Sequence, residues 1–187
     1  MGDIKLGFDS LRQRLRVETA AEHTALEARC EAMIGAGPDG LRNFVALHQR
    51  AFAEFADTSD PLISRPILTD LAARAADDLA APPPKRQGAG RFQPLAIDYV
   101  LCGSMHGMAV LRKRHAAQIA RQQLSFFAAP DYRPLWARFR EAANRIDPTS
   151  ELANGIVRDA CRVFALYAGL AEDIHGQKAR STQKVPA

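Results

Sequence analysis

The chain has 187 residues, of which 47% are apolar, 25% charged and 7% aromatic. That length holds one domain or at most two small ones, and the apolar share excludes disordered, collagen-like and low-complexity classes. The net charge of +4 is spread along the chain rather than gathered on one face. It argues against a nucleic-acid partner and fits an anionic ligand or an acidic protein partner.

No apolar run approaches the roughly 20 residues that cross a bilayer, and the opening MGDIKLGFDSLRQRLR lacks the apolar core of a signal peptide. The expectation is a cytoplasmic protein without a membrane partner. Cys30, Cys102 and Cys161 are widely separated and form no CxxC pair. They read as buried free thiols in a reducing compartment, not as a disulfide framework or a zinc site.

Residues 1–9 form an N-terminal segment, and a first helix is expected over Ser10–Ile34. Leu11, Leu15, Leu26 and Met33 give it an apolar stripe, and Gly35-Ala-Gly37-Pro38 ends it. A second helix begins after Asp39 and carries Leu41, Phe44, Val45, Leu47, Phe52 and Phe55. A turn at Thr58–Pro61 leads to a third helix over Pro66–Ala80. Residues 81–94 contain three consecutive prolines and two glycines, which make a surface loop inside one domain. A long fourth helix is expected over Leu95–Leu124, with a loop from Phe126 to Pro134. A fifth carries Leu135, Trp136, Phe139 and Ile146, and a last one opens at Asp147-Pro148-Thr149-Ser150 and ends near His175-Gly176. Residues 177–187 read as a disordered tail. Strand patterns are almost absent, so the fold class is all-α: a single-domain helical bundle over 10–176.

Two stretches carry chemistry. In the first, His23 stands mid-helix with Glu27 one turn later on the same face. A carboxylate beside a neutral imidazole fixes its tautomer, as a metal-ligating histidine requires, although such a pair is more often a surface contact. The second stretch, Tyr99-Val-Leu-Cys-Gly103-Ser-Met-His-Gly107-Met, places two glycines about 40° apart on a helix. Each costs nearly 1 kcal/mol relative to alanine in a helix interior, so the pair calls for close approach of another helix or of a flat ligand.

Together these stretches resemble the heme oxygenases. Leu15, Arg16, Thr19, His23, Thr24 and Glu27 match the pattern of that family's first helix. Tyr99–Leu111 looks like its kinked, glycine-containing distal helix, nearest to the bacterial, phytochrome-associated, biliverdin-producing branch. The resemblance implies an oxidoreductase for which heme is both cofactor and substrate. Heme would be cleaved with O2 and reducing equivalents to biliverdin, CO and Fe2+. It makes His23 the proximal iron ligand and Glu27 its orienting group. Gly103 and Gly107 become the backbone that presses on the heme face and steers attack to one meso carbon. Arg16 would neutralise a propionate, Phe164 would wall the pocket, and Arg138 or Arg140 would face a propionate from the fifth helix. A ferredoxin-like or flavoprotein electron donor is implied, and a bacterial phytochrome as an acceptor of biliverdin.

The chain departs from the pattern at three positions near those glycines. Met108 replaces a second glycine, Cys102 stands in place of a common Glu, and Ser104 occupies the place of an Asp that orders distal water in many members. His106 lies about 60° around the helix from Gly103. It has three readings: a second iron ligand, a proton donor through a distal water, or a packing residue. His48, His115 and His175 have no motif around them and read as surface residues. The alternative to an enzyme is a non-catalytic protein that carries or senses heme or another tetrapyrrole on the same scaffold.

Overall fold

The computed structural model describes residues 7–128 and 130–182. Its described residues form eight α-helices and a 3-10 turn, with no strand. The helices are α1 (Leu11–Glu18), α2 (Ala20–Gly35), α3 (Gly40–Phe55), α4 (Ser64–Leu79), α5 (Pro94–Arg114), α6 (Ala116–Gln122), α7 (Arg133–Asn144) and α8 (Glu151–Thr182), the turn being Ser125–Ala128. The architecture is an all-α bundle in one domain.

Three expected elements differ. The first helix is two, broken at Thr19, whose hydroxyl bonds the Leu15 carbonyl at 2.7 Å instead of leaving the backbone to carry on alone. The fourth is also two, broken at His115. The last runs past Gly176 to Thr182, because one helical glycine, costing about 1 kcal/mol, is too little to stop a long helix. Of the expected disordered tail, residues 177–182 are therefore helical, and 183–187 lie outside the described residues, as do 1–6 of the N-terminal segment.

Helix α8 is the spine, packing against α1, α2, α3 and α5. Helix α3 is buried over most of its circumference, polar His48, Gln49 and Glu54 included, and fills the centre with Leu41, Phe44, Leu47, Phe52 and Phe55. It starts close over α2 because residue 40 is glycine: a Cβ there would lie 2.2 Å from the Ile34 carbonyl oxygen. His48 is not a surface residue. It is buried among Phe44, Phe52, Phe126 and Tyr167, with Nδ1 2.9 Å from the Phe44 carbonyl. Burial there pulls its pKa down to about 4, against the weaker opposing pull of that carbonyl.

The proline-rich loop, residues 81–93, is ordered by two side chains beneath it. The buried Glu54 carboxylate of α3 accepts the backbone N–H groups of Gln87, Gly88 (3.1 Å) and Ala89 (2.9 Å). Burial raises the Glu54 pKa, and the three N–H groups with Arg86 outweigh it, leaving the pKa lowered. Arg162 of α8 donates to the Ala89 and Arg91 carbonyls and stacks over Phe92.

Helix α5 meets the length and composition of a membrane-crossing helix, against the expectation that no segment would. Its Gly, Ala and Ser residues dilute the apolar run without adding charge, so it does not read as one unbroken apolar stretch. In the fold it packs on α4, α7 and α8.

Candidate functional site

The break at Thr19 sets the site. Thr19 is buried, and its hydroxyl lies 3.4 Å from that of Tyr99 at the start of α5. One helical turn later stands His23, whose backbone N–H bonds the Thr19 carbonyl at 3.0 Å. Its side chain is 51% exposed, with Nδ1 3.5 Å from Glu27 Oε2. The edge of the ring meets Phe164 of α8 in a T-shaped contact at 5.7 Å between centroids. With Nδ1 turned to the carboxylate, Nε2 is the ring nitrogen left for a ligand.

Helices α2 and α5 both pack on α8 without packing extensively on one another. They are joined at two points. Near their N-terminal ends Thr19 meets Tyr99, and further on Glu31 pairs with Arg114 at 2.8 Å. The two helices therefore run in the same direction, bridged about 18 Å apart along α2 at 1.5 Å per residue. Tyr99, Gly103, Gly107 and Arg114 fall within about 80° of one another around α5. Because the first and last of them reach α2, the glycines between them face α2 as well. A Cβ built at Gly103 or Gly107 meets nothing within 4 Å. By this register the space between α2 and α5 is a slot flanked by His23 and by the two glycines, with Phe164 of α8 against the imidazole.

The departures at Met108, Ser104, Cys102 and His106 leave this slot. Met108 and Cys102 are buried on other sides of α5. The Ser104 hydroxyl donates to the Leu101 carbonyl at 2.8 Å within its own helix. His106 is exposed and makes an edge contact with Trp136 of α7 at 6.2 Å. Arg16 is exposed at the last turn of α1, one turn before the Thr19 break. Arg138 does not join it: its guanidinium donates to the Leu62 carbonyl ahead of α4 at 3.2 Å. Arg140 is exposed. The sequence reading missed Tyr99 as a partner of Thr19, and the signal was present, since Tyr99 lies one turn before Gly103 on the same stripe.

Among the described residues no three His, Cys, Asp or Glu side chains converge as a multidentate metal centre would need. The slot instead offers a single nitrogen ligand, an open backbone wall and an aromatic ring against the imidazole. The cysteines are free, Cys102 buried and Cys30 and Cys161 half-buried. No family model matches the chain, and no curated protein or solved structure matches it either.

Proposed function

We propose that the chain holds heme in the slot between α2 and α5 and opens it, as substrate, with O2 and reducing equivalents to biliverdin, CO and Fe2+. One observation carries this reading: a carboxylate-backed histidine stands across a single slot from two glycines whose side-chain positions are open. A flat macrocycle needs that opposition, and helix packing alone does not, since nothing fills the space beside either glycine.

When bound, the heme supplies the iron at which O2 is reduced. His23 Nε2 provides the protein ligand, and the Glu27 carboxylate beside Nδ1 favours the tautomer that leaves Nε2 free. Gly103 and Gly107 keep side chains off the opposite face, and Phe164 excludes water beside the imidazole. Arg16 forms no ion pair among the described residues and is placed to meet a propionate. Exposed Arg112 and Lys113 at the end of α5 give an acidic ferredoxin-like or flavoprotein donor a place to dock. A cytoplasmic setting keeps the free cysteines reduced, and a bacterial phytochrome is the acceptor this product would serve.

A second reading, a heme or tetrapyrrole carrier or sensor, is favoured by one feature. The polar side chains nearest the glycines are engaged elsewhere, Ser104 with its own helix and His106 with Trp136. Reconstitution with hemin, followed by a reductant and air, separates the two. A Soret band that gives way to biliverdin absorption supports the enzyme, whereas a stable Soret band without product supports the carrier. Equal hemin binding by His23→Ala overturns both.

A further inference from the structure

The face of α5 turned away from the slot borders a second cavity. It has a volume of about 450 Å³ and lies between α5, α7 and the segment that follows the 3-10 turn. Cys102, Met105, Phe127, Tyr132 and Trp136 form its inner walls, and Arg112 stands at its mouth. The volume falls in the range of small-molecule sites, roughly 300–1,000 Å³. At about 30 Å³ of liquid per water, it holds an apolar body of some ten to fifteen heavy atoms.

The lining says what kind of molecule. The thioethers of Met105 and Met108 and three aromatic rings make an adaptable apolar interior that offers water few partners. The charge at the rim has one sign left over. Asp131 is neutralised by Arg133, with Nη2 2.8 Å from Oδ2. Arg112 is exposed and takes part in no ion pair among the described residues. An apolar interior with a single uncompensated guanidinium at its mouth is complementary to a molecule with an apolar body and one anionic end.

We infer that this cavity is a second binding site, separate from the slot, for a small amphipathic carboxylate whose apolar body lies against Trp136 and whose carboxylate pairs with Arg112. The site rests on the other face of α5 and does not depend on heme. A ligand there bears on the same helix that presents Gly103 and Gly107, with His106 and its Trp136 contact between the two faces.

Trp136 is the only tryptophan in the chain, so its fluorescence reads this cavity directly. The full-length protein is titrated with decanoate and, in parallel, with 1-decanol, each below its aggregation concentration. Decanoate is expected to change the emission saturably, with decanol at least tenfold weaker. Arg112→Gln is expected to weaken decanoate about tenfold and leave decanol unchanged, as loss of one charge-assisted contact does. Ala109→Phe, which adds a ring at an exposed lining position, is expected to abolish both responses. His23→Ala is expected to leave decanoate binding intact, so failure here is distinct from failure of the heme reading. No saturable change overturns the inference. So does equal binding of acid and alcohol with no effect of Arg112→Gln, or binding that survives Ala109→Phe.

Discussion

The Thr19 hydroxyl lies 3.4 Å from the Tyr99 hydroxyl while also bonding the Leu15 carbonyl at 2.7 Å. One buried side chain thus breaks the first helix and ties the break to α5, so the direction in which α2 leaves, and with it the position of His23, depends on this contact. Thr19→Val keeps the shape and removes the hydroxyl. It is expected to destabilise the fold by about 1–2 kcal/mol, read by urea unfolding. It should also weaken hemin binding without removing His23. Hemin affinity equal to wild type would show that the Thr19 contact does not position the ligand.

Gly103 and Gly107 separate function from stability more sharply. Each is a helical glycine with nothing within 4 Å of a built Cβ, so nothing in the fold opposes a side chain there. Gly103→Ala and Gly107→Ala are expected to stabilise the protein by about 0.5–1 kcal/mol each through helix propensity. The same changes should reduce hemin affinity, and Gly107→Leu should block it. Stable variants that bind hemin as well as wild type would remove the slot as the site.

The helical class, the His23–Glu27 pair and the shared stripe of Gly103 and Gly107 were legible because each rests on local periodicity or on spacing within one helix. The slot itself was not. It depends on Tyr99 finding Thr19 and on Arg114 finding Glu31, contacts between distant parts of the chain that no period reveals. His48 was misread for the same reason. A histidine among apolar residues carries no mark of burial until Phe126 and Tyr167 arrive from elsewhere to enclose it. Arg138 shows the converse, since a basic residue in the right part of the chain was drawn to a nearer carbonyl at Leu62.

Glu54 holds the proline-rich loop by accepting three consecutive backbone N–H groups, a contact invisible in a stretch that reads simply as irregular. Glu54→Ala leaves those donors without their partner and is expected to cost about 2–4 kcal/mol. Protease cleavage should become faster near Lys85 and Arg86. Its lowered pKa means that the stabilisation is present above the ordinary carboxylate range, near 4.5, and is lost as pH falls through the folded value. Wild type should therefore lose loop protection in acid, and Glu54→Ala should show no such loss because it starts without it.

Two other buried groups pull in opposite directions at milder pH. His48 has a folded pKa of about 4 against 6.5, so the unfolded chain binds the extra proton between those values and stability falls as pH drops from 6.5 to 4. Asp98 is fully buried, and neither carboxyl oxygen makes a hydrogen bond by distance and angle, although Ser64 lies close by. Burial, with Asp60 adding to it, raises its pKa from 3.8 to about 7. The folded state then keeps the proton that the unfolded chain has lost, and stability falls as pH rises from 4 to 7. Each contribution is on the order of 3 kcal/mol. Over pH 5–6.5 the two slopes offset, so the unfolding free energy of wild type is expected to be nearly flat. Asp98→Asn should unmask a stability that rises with pH across that window, and His48→Leu one that falls. Equal slopes in both variants, measured by urea unfolding at a series of pH values, would sink the assignment of these two side chains.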